Sequence, residues 1–137
     1  MKIVKGGVTK AKGFEAAGVE ANIKYQGRTD MAIIFSKEPC VAAGTFTTNV
    51  AKAAPVTWDQ KIVKEGKVAQ AIIVNSGIAN ACTGAEGYGY CKDTADAAAK
   101  ELGISADSVL LGSTGVIGKQ LPIDRIQAGV KCLQRRK

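Results

Sequence analysis

The sequence predicts a single domain, residues 1–137, of mixed α and β structure, α/β or α+β, with its candidate sites in loops that follow buried strands. Three observations carry this. Apolar runs of strand length recur at 31–35 (MAIIF), 69–74 (AQAIIV) and 109–111 (VLL). Two stretches, about 86–102 and 123–133, place apolar or small residues at helical spacing. The chain has 137 residues, 46% hydrophobic and 23% charged, which is ordinary globular usage in a length able to bury a core.

Taken in order, Val19, Ala21, Ile23 and Tyr25 alternate with polar residues and predict a half-buried strand. Residues 27–30 predict a turn, and 31–35 a second, buried strand. Residues 40–48 are small and β-branched, which suggests a third strand. Ala53-Ala-Pro55 opens another element that ends near Gly66. The run 69–74 is of the kind found in a strand buried on both faces, and it leads into a loop, NSGIANACTG, at 75–84. Tyr88, Cys91, Ala95, Ala98, Ala99 and Leu102 then mark a helix that Gly103 stops. After the strand at 109–111 comes the turn GSTGVIG. Pro122 suits a first helical position, and Ile123, Ile126, Val130 and Leu133 form one face of a final helix.

Composition removes several classes of function. The chain contains no histidine, so Ser/His and Cys/His nucleophiles and the commonest metal ligand are absent. Cys40, Cys82, Cys91 and Cys132 are widely spaced with no Cys-x-x-Cys pair, so they read as small apolar residues or plain thiols, with no metal and no redox motif expected. The net charge is +7, but the cations are scattered singly apart from a terminal run at 135–137, and aromatics make up 5%. That pattern predicts a solvated surface, with no nucleic-acid binding, better than a base-stacking one. No apolar run is long enough to span a bilayer and the start lacks the apolar core of a signal peptide, so no membrane association and a cytoplasmic location are the expectation.

The turn Gly112-Ser-Thr-Gly-Val-Ile-Gly118 carries the main question. Its glycines are not spaced as in Gly-x-Gly-x-x-Gly, and Gly118-Lys119 is followed by Gln120 rather than the Ser or Thr of a P-loop. Nor is it a Gly-x-Ser-x-Gly elbow. A hydroxyl on Thr114 beside the unobstructed N–H of Gly115 suits an oxyanion, the charge that develops on a carbonyl during acyl transfer. The competing reading, which composition alone favours, is a strand-to-helix turn whose glycines serve only the backbone. The loop at 75–84 has the same ambiguity. Asn75, Ser76, Asn80 and Thr83 could orient a polar substrate or bond within the loop, and the second is the expectation. Tyr88 and Tyr90 read as packing residues.

Four ordered blocks narrow the choice. Gly6-Gly-Val-Thr9 with Lys12-Gly-Phe14 and Ala17-Gly18, AAGTFTTNVAKAAPV at 42–56, VNSGIANACTG at 74–84 and STGVIGKQLP at 113–122 resemble the N-terminal portion of the ornithine acetyltransferase family, also called the glutamate N-acetyltransferase or ArgJ family. The resemblance covers nearly the whole chain. It implies an enzyme that moves an acetyl group from N-acetylornithine to glutamate in arginine synthesis, some members also using acetyl-CoA as a co-substrate, with no bound cofactor. It implies a precursor that cuts itself at an Ala-Thr bond into α and β chains, the new N-terminal threonine becoming the nucleophile with its own amine as base. Such chemistry needs no histidine.

By the same resemblance, Thr114 and Gly115 occupy the positions of the family's oxyanion pair, while the nucleophile and substrate-binding residues lie downstream. The implied fold is α+β, part of a four-layered α/β/β/α sandwich completed by the β chain of the same precursor, assembled as an α2β2 heterotetramer. Family α chains continue beyond the helix after STGVIG to the cleavage site, whereas this sequence stops at Lys137 without an Ala-Thr end, and a chain ending there is expected to be inactive by itself. Two other readings stay open here: a self-processing aminopeptidase-like hydrolase subunit, and a noncatalytic basic binding domain.

Overall fold

The computed structural model describes residues 5–134, so the basic run at 135–137 lies outside the described residues. Among these residues four strands form one sheet in the order β1-β2-β3-β4: β1 Phe14–Val19, β2 Met31–Val41, β3 Val68–Asn75 and β4 Val109–Ser113. The first three pair antiparallel, and β4 joins β3 in parallel after a helical crossover. Among the described residues three α-helices accompany them: α1 Ala54–Lys64, α2 Gly84–Leu102 and α3 Ile123–Gln134. The fold is α+β.

Local chemistry accounts for the helix limits. Pro55 stands in the first turn of α1, where a missing N–H costs nothing, and Gly66 leaves that helix at φ +65°. Gly103 ends α2 in the left-handed conformation, its N–H bonded to the Ala99 carbonyl. Pro122 lies just outside α3 and its carbonyl accepts the N–H groups of Arg125 and Ile126.

The helices cover one face of the sheet only. Val19, Met31, Ile33, Ala71, Ile73, Val109 and Leu111 pack there against Trp58, Ile62, Cys91, Ala95, Ala98, Ile126, Val130 and Leu133. Along β3, Ala69, Ala71, Ile73 and Asn75 are buried while Val68, Ile72 and Val74 are exposed. The expectation of a strand buried on both faces is not met among the described residues, where nothing covers the second face. Helix α1 also closes the free edge of β4. Trp58 Nε1–H donates to the Val109 carbonyl at 2.9 Å, and the Asp59 carboxylate accepts the Leu111 N–H at 2.8 Å, so backbone groups without a fifth strand are satisfied by side chains.

Two predicted strands are also corrected. The alternation at Val19, Ala21, Ile23 and Tyr25 does not form a strand, because β1 ends at Val19. Ala21 and Ile23 are buried nonetheless. The Asp30 carboxylate takes their N–H groups at 2.7 and 2.8 Å, replacing a ladder, and Asn22 between them sits at φ 55°. The third strand expected at 40–48 fails for a different reason. Cys40 and Val41 finish β2 after a register shift between Phe35 and Cys40, and residues 42–53 have no regular structure because β3 begins opposite Val41 and offers them no partner.

Candidate active site at the glycine turn

The two loops singled out in the sequence meet. Strands β3 and β4 are parallel and in register to their carboxyl ends, Asn75 beside Ser113, so both chains leave the sheet at the same corner. Ligand sites gather at such ends because two loops there share one mouth. Beyond the sheet the pairing resumes as a parallel bridge between Ile78 and Val116. Thr114 N–H donates to the Asn75 carbonyl at 3.0 Å, Val116 N–H to Gly77 at 3.1 Å, and Ala79 N–H to Val116 at 2.9 Å.

Gly115 lies between these bonds at φ +134°, a conformation that side chains disfavour. It also lies against the Gly77 peptide with no room for a methyl group. Gly77 in turn is crowded by Lys24, whose Cβ would stand 2.9 Å from a Cβ on Gly77. The loop between β1 and β2 thus buttresses the turn from outside. Nearby, the Tyr25 ring carries Lys24 Nζ at 4.7 Å and the Arg28 guanidinium at 4.4 Å. A hydrogen bond from Lys24, then its charge, holds the Tyr25 phenol below its ordinary range.

Thr114 and Gly115 are exposed, and among the described residues neither the Thr114 hydroxyl nor the Gly115 N–H has a hydrogen-bond partner. The turn therefore leaves two adjacent neutral donors unused while their backbone is bonded on both sides. Donors held this way suit a negative oxygen, since they need no reorganisation when charge develops.

The polar residues of the 75–84 loop bond within it or to the segments beside it. Asn80, fully buried, donates to the Gly87 carbonyl at 2.9 Å and accepts from the Thr83 hydroxyl at 2.8 Å. Asn75 donates to the Ile78 carbonyl and accepts from Ser113 Oγ. The Ser76 N–H donates to the Asp30 carbonyl at 2.8 Å. Tyr88 packs on Trp58 with ring centroids 5.9 Å apart. The Tyr90 hydroxyl bonds to the Glu86 carboxylate, which pushes that phenol up.

All four cysteines are free thiols, and Cys91 alone is buried. Burial, with the Asp59 charge nearby, pushes its thiol up to about 12. Asp59 is itself raised from 3.8 to about 6 by burial, opposed by its bond to Leu111. Among the described residues no group of three or more Cys, Asp or Glu is gathered as a metal ion requires, and no helix is long and apolar enough to cross a membrane. Sequence reasoning found both loops and missed what joins them: the Gly77–Gly115 contact and the Ser113–Asn75 bond. The available signal was only that each loop follows a buried strand with a Ser-Gly or Ser-Thr-Gly step.

Fold and site together define an α+β sheet domain whose parallel strand ends present a glycine turn with two unused donors. Residues 15–137 match the ArgJ family. Relatives named arginine biosynthesis bifunctional protein ArgJ include that of Gloeobacter violaceus, 48% identical over 130 residues, covering 95% of this chain and 32% of that protein. The one from Thermotoga neapolitana is 52% identical over 121 residues, covering 88% and 30%. Among solved structures, ornithine acetyltransferase complexed with ornithine from Mycobacterium tuberculosis aligns with TM-score 0.89 at 45% identity, covering 94% of this chain and 69% of that one. ArgJ from Bacillus halodurans aligns with TM-score 0.86 at 40% identity, covering 92% and 65%. The chain belongs to the ArgJ family, whose structures have an α/β sandwich fold, and it spans about a third of the length of these curated relatives.

Proposed function

We propose that this chain is the α-chain portion of a glutamate N-acetyltransferase that carries an acetyl group from N-acetylornithine to glutamate in arginine biosynthesis. The observation that carries the reading is the pair of exposed, unbonded donors on Thr114 and Gly115, in a chain that aligns with an ornithine acetyltransferase over most of its length. The nucleophile is a threonine at the start of a second chain cut from the same precursor. Its hydroxyl attacks the acetyl carbonyl of N-acetylornithine, and its α-amine takes the proton and passes it to the leaving ornithine amine. The glutamate amine then attacks the acetyl-threonine ester, giving N-acetylglutamate and the free hydroxyl. Both steps pass through a tetrahedral oxyanion, which the Thr114 hydroxyl and Gly115 N–H bind. Acetyl-CoA would enter as an alternative acetyl donor, losing its thiol in the first step, and no resident cofactor is required.

The open face of the sheet supports a second chain. Ile72 and Val74 are more than a third exposed there, and Phe14, Ile34, Val41, Ile72 and Leu110 line a groove on the same side. A second sheet packed on this face, with its own helices outside, makes the four layers α/β/β/α, and two such pairs make the α2β2 assembly. In this reading acetyl transfer needs both chains, one for the donors and one for the nucleophile.

The test is Thr114→Val in the assembled enzyme, which keeps the shape and removes one donor. Turnover in acetyl transfer from N-acetylornithine to glutamate should fall roughly a hundredfold or more, the usual worth of an oxyanion donor, while KM changes only a few fold. Near-normal turnover would overturn the assignment. Acetate release that glutamate does not suppress would favour a hydrolase instead.

A further inference from the structure

We infer that Asn75 is the positioning residue of the glycine turn, one buried amide that sets the direction of both oxyanion donors. This rests on the reading of Thr114 and Gly115 as those donors. Asn75 is 9% exposed, at the end of β3; its carbonyl and Oδ1 reach the turn, and its Nδ2 reaches Ile78 in the neighbouring loop. Its carbonyl accepts the Thr114 N–H at 3.0 Å. Its Oδ1 accepts Ser113 Oγ–H at 2.6 Å, and its Nδ2 donates to the Ile78 carbonyl at 3.1 Å. The Ile78 oxygen can only accept, so the amide nitrogen must face it and the amide oxygen must face the Ser113 hydroxyl. The orientation is dictated by the partners.

The bonds close a ring around Gly115. Ser113 and Thr114 are tied to Asn75, Asn75 is tied to Ile78, and Ile78 bridges to Val116 on the far side of the turn. Gly115 sits inside that ring against Gly77, where no methyl group fits. Its N–H therefore cannot turn without breaking a bond that Asn75 makes or supports. The amide serves a donor and an acceptor at once. A carboxylate would set an oxygen against the Ile78 carbonyl, and an apolar residue would leave both Ser113 and Ile78 unpaired. Because a donor displaced by about 1 Å can lose roughly a hundredfold in rate, holding the turn is a catalytic contribution even though Asn75 touches no substrate.

The experiment compares Asn75→Asp, Thr114→Val and their combination in the assembled enzyme, by steady-state acetyl transfer from N-acetylornithine to glutamate. Asn75→Asp should lower kcat about tenfold to a hundredfold with KM within about threefold, a split that general loosening would not produce. Adding Thr114→Val to it should cost less than about tenfold, against roughly a hundredfold in the native background, because the donor is already misaimed. Should Asn75→Asp fail to assemble, Ser113 carries the same test: Ser113→Ala lowers kcat about tenfold and Ser113→Thr, which restores the hydroxyl, recovers most of it. A kcat for Asn75→Asp or Ser113→Ala within threefold of native, while Thr114→Val still loses a hundredfold, overturns the inference and leaves the oxyanion reading standing. Losses that multiply in full overturn it as well. Native turnover in Thr114→Val alone removes the oxyanion reading, and this inference with it.

Discussion

A methyl group on Gly115 would stand 2.2 Å from the Gly77 carbonyl carbon and 2.3 Å from its oxygen. No side-chain rotation relieves such a contact, because the neighbour is backbone held by the Val116 N–H. Gly115→Ala adds a left-handed strain to that overlap, each worth about 1–3 kcal/mol. We expect a loss of roughly 3 kcal/mol and a melting temperature lower by about 10 °C. Melting within a couple of degrees of native would show that the close approach does not persist in solution.

Asp59 gives the stability a pH dependence of known sign. Its folded pKa of about 6 lies above the ordinary 3.8, so the folded state holds the proton more tightly. The stabilisation from that proton is fully present below about pH 4 and is lost as pH rises through about 6. Asp59→Asn keeps an oxygen for the Leu111 N–H and removes the charge. After allowance for solvent screening of a half-buried group, stability at about pH 7.5 should rise by roughly 1–2 kcal/mol, and the gain should vanish near pH 4. Urea unfolding at both pH values decides it, an equal shift at each being the contrary result.

The thiols should separate by reactivity. Cys82 and Cys132 are exposed, whereas Cys91 is buried with its thiol pushed up to about 12. Since the thiolate is the reacting form, iodoacetamide at about pH 8 should modify Cys82 and Cys132 in the native chain and Cys91 only after unfolding. Peptide mass spectrometry reads this directly, and early labelling of Cys91 would mean that α2 opens readily.

The open sheet face should respond to charge as an interface. Ile72 is 37% exposed on the side away from the helices. Ile72→Glu should change the folding of this chain by only about 0.5 kcal/mol, yet an unpaired carboxylate buried under a second sheet costs several kcal/mol. Co-expression of the precursor halves and size-exclusion chromatography should show the complex lost. Assembly at native yield would place the second chain elsewhere.

Much of this was legible in order along the chain. The helices at α2 and α3 followed from spacing and from Gly103 and Pro122, and β2, β3 and β4 from their apolar runs. The two misread segments fail for different reasons, and neither reason is local to the segment. Ala21 and Ile23 alternate like a strand and are buried like one, but the Asp30 carboxylate, which no period reveals, takes their N–H groups. Residues 42–53 have strand composition and no strand beside them, and pairing is not a local property.

The sequence by itself determined the helices α2 and α3, the apolar cores of β2, β3 and β4, the absence of histidine from this chain and the order of motifs that marks the family, because capping, periodicity and composition act over a few residues. Only the tertiary structure decided that the helices lie on one face, that α1 seals the edge of β4, and that the two loops form a single corner. Ser113 and Asn75 are 38 residues apart and meet because β3 and β4 run parallel in register. Whether a serine and an asparagine hold a site or merely fill a loop depends on what each faces, and that is settled by packing, where a buried polar group must find its partner or cost the fold its stability.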